Sequence, residues 1–560
     1  MHSDAGTKGT SPVTLEVVTS ALIAASREMG IGLQRAAYST IVREVRDFSC
    51  AVFDASGRLI SQAAHIPIHL GSMDIALSAV LQQFHHDLHP GDAYVVNDPY
   101  SGAQHTPDMQ MFSPVFSGDN LVAFVGNVAH HLDMGGRIAG SVAGDNTEIF
   151  HDGLRIPPCR AYREGRIDPL FEAIFSANIR QPAVSLGDLR AQLAANEIGI
   201  RRVLETIDKF GWQTVLACID QDISDTEAAL RAYIAQLPRR RLEGEDWIDD
   251  DGVGNGPLRV AVGIEPDGDD LVVDLTGTSR QAMGAINSIL SATRAAVMYA
   301  IRAVIGPDLP PNHGAQVPVR IIAPPGSLVN PEYPAACGGR MVTCQRIVDA
   351  MLAAFSAVMP ERVTAGSNGN MTTSLGIFTG QDRSIFFEVM PGGMGAMASG
   401  DGVSGTDSHL SNCMNAPVEA LELDHPVLFE RFEFRPDSGG AGEFQGGLGL
   451  TRQFRLLRGS ATLMIRGDQV LQGPIGLRGG RPGRPCRFVL NPGRPDERVL
   501  ASKASTEMKA GDVLRRDTAG GGGFGDPRER QRELIIRDLR EGLITASWAA
   551  AQYGIEASDS

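Results

Sequence analysis

Histidine marks where chemistry is concentrated in this 560-residue chain. Nine of its 13 histidines (His65, His69, His85, His86, His89, His105, His130, His131 and His151) fall between residues 65 and 151. Carboxylates accompany them at expected loop and strand ends: Asp47, Asp98, Asp108, Asp133 and Asp145. Imidazole together with carboxylate is a donor set for a divalent transition metal such as zinc, manganese or iron.

Spacing sharpens that reading. Asp108 and His130 are equally far from Asp119, which lies within the turn "SGDN". A hairpin pivoting there lays its two open ends side by side, about 4.8 Å apart. His105 and Asp108 then face His130, with His131 or Asp133 close by. Side chains alternate between faces along a strand, so His130 and His131 take different roles. His131 and Asp133 are the candidate general bases. Pro107 in "QHTPD" stiffens the turn between His105 and Asp108. His65 and His69, in the proline-containing "AHIPIHLG", read as residues that support the ligands or fill the core. Asp98, ahead of Pro99, reads as a turn cap close behind the ligands, and the pair His85–His86 as a solvated helix surface.

Positioning these groups is the work of the surrounding elements. Apolar residues at helical spacing predict a helix over Val13–Tyr38 and another over Ser72–Leu88. "FSCAVFD" followed by "ASG" predicts strand and turn within Arg46–Ile60. Strands are expected at Tyr94–Asn97, Met109–Phe116 and Leu121–Val128. Residues 165–240 carry long amphipathic runs, closed by Arg239, Arg240 and Arg241. An acidic, glycine-rich break near residue 250 reads as a boundary, followed by a hairpin in "LRVAVGIEPDGDDLVVDLTGTS". Further helices are expected over Ala292–Ile305, Thr343–Val358 and Glu529–Leu543, with short glycine-punctuated strands from Ser374 onward. The fold class is therefore mixed α+β, a multi-domain chain of antiparallel hairpins and interspersed helices. Its expected regions are 1–160 with the metal site, 161–250 helical, 251–373 α/β, 374–527 glycine-rich strands, and 528–560 a helix and tail.

Composition narrows the function classes. With 43% hydrophobic and 21% charged residues the chain is an ordinary globular protein. A formal net charge of −16 repels phosphate backbones, so no nucleic-acid partner is expected. No run of about 18 apolar residues occurs, so no membrane span is expected. Met1–Val13 lacks the apolar core of a secretory signal. The seven cysteines are dispersed with no CxxC spacing, which suits free thiols in a reducing cytoplasm. "GGAGEFQGG" and "GGGGFG" read as tight turns rather than phosphate loops, and no GxxxxGK[ST] motif is present. Arg340 and Arg346 read as helix-start salt-bridge arginines or contacts to an anion, Glu388 and Glu419 as buried acids, and Asp401 and Asp407 as members of a glycine loop.

Seven blocks, "REVRDFSCAVFD", "IHLGSM", "GDAYVVNDPYSGAQHTPDMQM", "NVAHHLDMGG", "NAPVEALE", "RPDSGGAGEFQGGLG" and "TAGGGGFGDP", together resemble the hydantoinase B family from about residue 14 to residue 527. That family comprises one component of ATP-dependent hydantoinases, 5-oxoprolinases and caprolactamase, and is related to components of the acetone and acetophenone carboxylases. The resemblance implies a mononuclear divalent metal held by Asp47, His105, Asp108 and His130. Asp47 enters through the resemblance alone. It further implies a separate hydantoinase A-type partner that uses ATP and magnesium to phosphorylate a cyclic amide, in a hetero-oligomer such as α2β2. This chain would then direct metal-activated water at the phosphorylated ring. Two other readings accompany it: a component of a carboxylase of the acetone type, and a scaffold for the A-type partner without chemistry of its own. Met394 stands where the family pattern has a glycine, which questions close backbone approach there.

Overall fold

The computed structural model describes residues 11–69, 71–369 and 371–555. Helix α1 (Pro12–Ala36) starts where the Ser11 side chain accepts a hydrogen bond from the Thr14 N–H and Pro12 fixes the first turn. Val18, Leu22, Ala25, Met29 and Leu33 form its buried stripe. A one-turn α2 (Thr40–Arg43) leads into β1 (Phe48–Asp54), which turns through "ASG" into β2 (Leu59–Ala64). Then come α3 (Met73–Phe84), β3 (Ala93–Val96), β4 (Asp108–Ser117), β5 (Asn120–His130), β6 (Cys159–Arg163) and β7 (Arg166–Ile167). These strands form one antiparallel sheet in the order β2-β1-β5-β4-β3-β6-β7. The hairpin β6–β7 at its far edge was not legible in the sequence.

The helical stretch is three helices: α4 (Pro169–Asn178), α5 (Pro182–Phe210) and α6 (Trp212–Ile234). Helix α5 lies on the sheet through buried amides. Gln192 Nε2 donates to the Met109 carbonyl and to Asn127 Oδ1, each at 2.8 Å, and Asn127 Nδ2 donates to Asn196 Oδ1 at 2.8 Å. Strands β8 (Leu242–Ile248), β9 (Leu258–Asp267) and β10 (Asp270–Asp274) make a meander, with helix α7 (Leu290–Val304) before β11 (Val319–Ile322), which pairs parallel to β10. Helix α8 (Met341–Phe355), buried along nearly its whole length, lies between this sheet and α7.

The remaining strands sort into two sheets. They are β12 (Met371–Thr379), β13 (Asp382–Met390), β14 (Val427–Phe434) after a short α9 (Val418–Asp424), β15 (Leu450–Leu456), β16 (Ser460–Arg466), β17 (Arg487–Leu490), β18 (Arg498–Leu500), β19 (Lys503–Lys509) and β20 (Val513–Asp517). The orders are β13-β12-β16-β19 and β14-β15-β20-β17-β18. The C-terminal region holds two helices, α10 (Arg532–Arg540) and α11 (Ala546–Tyr553), where one was expected. The mixed α+β class with antiparallel hairpins is what the structure shows.

The glycine runs correct one expectation. Gly520–Gly523 are extended, not left-handed, and form no tight turn. Glycine is required because backbone lies directly on backbone: a Cβ on Gly520 would sit 1.9 Å from the Ser438 carbonyl oxygen, and one on Gly521 2.0 Å from that of Met394. Close approach at Met394 is thus kept, the glycines being on the facing segments, with the Gly447 N–H donating to the Met394 carbonyl at 2.8 Å.

A buried charge triad joins the two C-terminal sheets. Glu388 on β13 receives Arg452 of β15 at 2.7 Å and Arg516 of β20 at 2.5 Å, all three at most 2% exposed. Glu388 is a buried acid as expected, whereas Glu419 is exposed. Removing the one carboxylate strands two buried guanidiniums, so Glu388→Gln should cost about 3 kcal/mol. Urea unfolding followed by far-ultraviolet circular dichroism checks this; a loss below about 0.5 kcal/mol would contradict the buried latch.

Candidate metal centre

Three neighbouring strands of the first sheet place the site. Register aligns Asp108 on β4 directly opposite His130 on β5. On the other side of β5, β1 aligns Phe48 with Ala129, and the His130 N–H donates to the Asp47 carbonyl at 3.0 Å. Asp47, His130 and Asp108 therefore form one row across the sheet. The hairpin reaches this pairing by a route the spacing alone does not show. Its loop is the two residues Gly118–Asp119, with Ser117 opposite Asn120. Left uncorrected, that register would set Asp108 opposite Ala129 and turn His130 to the other face. A one-residue shift, with Val115 opposite Ala123 but Phe116 opposite Leu121, restores it.

The turn before β4 brings His105 back onto the row. The Asp108 N–H donates to the His105 carbonyl at 3.0 Å and Asn97 Nδ2 donates to the Thr106 carbonyl at 2.6 Å. His105 Nε2 then lies 3.0 Å from Asp108 Oδ1, and the His105 and His130 rings are 5.1 Å apart. One donor atom from each of His105, Asp108 and His130 lies within 4.8 Å of the others, all three residues buried. Nδ1 of His105 and Nδ1 of His130 are buried with no hydrogen-bond partner. Orphaned imidazole nitrogens beside a carboxylate are the donors a divalent cation satisfies.

These residues line a cavity of about 30 Å³ together with Asp47, Ile66, Ile68, His69, Arg340, Met341, Thr372, Phe387, Val389, Ser411, Cys413 and Arg466. That volume accommodates an ion and a water or two. Its far wall comes from residues 341–466, for which local spacing carried no signal.

Electrostatics follow from burial. Desolvation, then Arg340, holds His105 down to about 4, and desolvation holds His69 to about 4 and His130 well below its usual value. The imidazoles are thus neutral near pH 7, with lone pairs free for coordination. Burial works against ionising Asp108, but His105 and Arg340 outweigh it and hold the carboxyl below the usual range. Arg340 Nη2 donates to Asp108 Oδ2 at 2.6 Å and to Gln104 Oε1 at 2.8 Å. Burial, reinforced by Asp108, pushes Asp47 up to about 8.

Other predicted residues separate into distinct places. His69 stands behind Asp108, its Nε2 3.9 Å from Oδ2 and its Nδ1 2.9 Å from Ser49 Oγ. His65 packs on Phe48 and faces an outer cleft rather than the cavity. Asp98 accepts from the Tyr100 N–H at 3.1 Å and Ser101 Oγ at 3.2 Å, capping the turn without reaching the cavity. The two candidate bases need correction. His131 points through the sheet to Gln192 Oε1 at 3.0 Å, as strand alternation demands. Asp133 is fully buried, accepting from the Gly135 and Gly140 N–H groups and from Arg180. Neither lines the cavity. Arg346 pairs with Asp246 and Asp349, away from the site, while Asp407 accepts from the Cys413 N–H at 2.8 Å and Asp401 from Arg530. His85 and His86 are exposed.

Arg466 carried no signal in the sequence and joins the cavity from β16. It is 4% exposed, its Nη1 donates to the Gly338 carbonyl at 2.8 Å and its Nη2 to Thr372 Oγ1 at 2.7 Å, and its Nε is buried without a partner. Among the described residues no carboxylate accepts a hydrogen bond from it.

Comparison with known proteins agrees with this architecture. The profile of the hydantoinase B/oxoprolinase family matches residues 11–527. An uncharacterized protein of Methanocaldococcus jannaschii is 34% identical over 97% of this chain and 96% of its own length. A Pseudomonas sp. protein, named as the putative B-type component of a D-/L-hydantoinase, is 31% identical over 100% of this chain and 97% of its own. The 5-oxoprolinase 1 of Arabidopsis thaliana is 32% identical over 92% of this chain, which spans 42% of that longer protein. The ATP-dependent caprolactamase of Pseudomonas jessenii shares the structure with a TM-score of 0.91 at 28% identity, covering 98% of this chain and 96% of that one. An acetone carboxylase shares the fold at a TM-score of 0.88 and 20% identity, over 97% of this chain and 79% of that one. With nearly its whole length matched, this chain belongs to the hydantoinase B/oxoprolinase family.

Proposed function

We propose that this chain is the B-type component of an ATP-dependent cyclic amide hydrolase, and that it opens a phosphorylated ring delivered by an A-type partner. The observation that carries the reading is one buried cavity holding His105, Asp108 and His130 beside a guanidinium, Arg466, that donates to no carboxylate. Asp47 lines the same cavity and completes the proposed donor set. A divalent cation held there supplies Lewis acidity and lowers the pKa of a coordinated water towards neutrality.

The chain's own residues have separable tasks. Amide resonance makes a ring carbonyl a poor electrophile, and phosphorylation of its oxygen supplies a leaving group. Arg466 is oriented to receive that anionic oxygen, since its charge has no carboxylate hydrogen-bonded to it. Arg340 is occupied: it holds Asp108 in place and keeps it ionised. Ser49 and His69 fix the back of the site. Neither His131 nor Asp133 reaches the cavity to accept a proton from water, and Asp47 gives up its own proton to join the donor set. Ile66, Ile68, Met341, Phe387 and Val389 keep bulk water out.

Two outcomes test this reading. Asp108→Ala should abolish ring opening of a cyclic amide panel by the co-expressed pair while the partner's substrate-dependent ATP hydrolysis persists in part; elemental analysis should show the variant losing most of its cation. Full product formation after chelation and gel filtration would refute it, and a bicarbonate requirement would point to carboxylation instead. Arg466→Gln should lower kcat/KM for ring opening by about 10²-fold, as expected for removing one preorganised charge, while leaving cation content unchanged. Equal loss of cation would show that Arg466 serves the donor set rather than the anion.

A further inference from the structure

A second cleft lies on the outer side of the loop that walls the cation cavity. It has a volume of about 780 Å³, within the range of small-molecule sites. Helix α1 lines one side with Glu16, Thr19, Ser20, Ile23, Arg27 and Ile31, and the edge strand β2 forms the floor from Ile60 to Ala63. Arg302 of α7 and the pair Pro310–Pro311 close the other side.

The hydrogen-bonding account of this cleft is lopsided. Arg302 is half-buried, which lowers its affinity for its proton, yet among the described residues it has no carboxylate, carbonyl or hydroxyl partner. Arg27, across the cleft, also has none among the described residues but is exposed to solvent. The two acids present are already engaged: Ser20 Oγ donates to Glu16 Oε1 at 3.1 Å and Asn312 Nδ2 to Asp222 Oδ2 at 2.9 Å. Gln62, in the floor, is 8% exposed and both ends of its amide lack partners. The unpaired guanidinium of Arg302 therefore calls for an anion that can take its fork, while Gln62 Oε1 calls for a donor and Glu16 and Asp222 keep their charge in the same lining. Ile23, Ile31, Ile60 and the two prolines provide an apolar wall for the rest of a ligand.

We infer that this cleft is a second binding site, separate from the cation cavity, for a small molecule carrying a carboxylate, with Arg302 as its anion partner. The site also touches the cation cavity's wall. His65 lines the cleft, its carbonyl accepts from Asn412 Nδ2 at 2.8 Å, and Ile66 and Ile68 of the same loop line the cation cavity. A carboxylate could arrive as an intact carboxylated lactam or as a ring-opened amino acid, and the test separates these sources.

The experiment is isothermal titration of the full-length chain with 5-oxoproline, glutamate and 2-pyrrolidinone, the last being a lactam without a carboxylate. Wild-type protein should bind 5-oxoproline or glutamate, whichever is the source, and fail to bind 2-pyrrolidinone. Arg302→Met should weaken that binding at least tenfold and Arg302→Lys by less, with unchanged circular dichroism. His130→Ala, which disables the cation cavity, should bind the carboxylate as wild type does; this arm stands even where the ring-opening reading fails. Binding lost in His130→Ala but kept in Arg302→Met would move the ligand to the cation cavity and overturn the inference. Equal binding of 2-pyrrolidinone, or no binding of either carboxylate, would overturn it as well.

Discussion

The whole site depends on strand register. Asp47, His130 and Asp108 can converge only because three antiparallel strands place them on one row and on one face. The period of a strand is two, so a slip of one residue would exchange His130 for His131 at the cavity. The hairpin loop by itself gives the wrong register, and a one-residue shift near Val122 corrects it. Helix α5 holds that arrangement from behind, because Gln192 and Asn196 satisfy β4, β5 and His131 in one buried amide network. A displaced strand would leave several of these polar groups unpaired at once, which is a steep penalty in a dry interface.

Burial then sets the chemistry. Taking three imidazoles out of water keeps them neutral, the form that donates a lone pair. The same desolvation would protonate Asp108 were His105 and Arg340 not beside it. Asp47 has weaker cationic support and goes the other way. Two carboxylates on one row thus acquire different proton affinities from their neighbours alone. Arg340 and Arg466 differ in a parallel manner. One is tied to a carboxylate, the other to a carbonyl and a hydroxyl, and the proposed role of Arg466 towards an anion rests on that difference.

Stability elsewhere is built from close backbone contact and buried ion clusters. The extended glycine segments around Gly393–Gly395, Gly439–Gly447 and Gly520–Gly523 pack carbonyl against Cα with no room for a side chain. Their composition looks like turn chemistry in the sequence, yet none of these glycines has a positive φ. Among the described residues, no helix is long and apolar enough to cross a membrane.

The local elements could be read along the chain, and so could the approach of the hairpin ends, but not the register that pairs them. Helices α1, α7 and α8 lie within a few residues of their periodic patterns, and the equal distances of Asp108 and His130 from residue 119 pointed to their meeting, which the chain reaches only through a one-residue register shift. Local periodicity carries that information because neighbours along a chain share one backbone geometry. Packing between distant segments chose which side chains turn inward to the cavity. His131 and Asp133 read in the sequence as bases beside the metal, but the pleat and the Arg180 contact direct them elsewhere. Arg466, Phe387 and Cys413 join the cavity from segments more than 200 residues away, bearing no pattern that spacing can read. Long-range packing selects them because a buried charge or ring is fixed by what surrounds it in space, and that is absent from its neighbours in sequence.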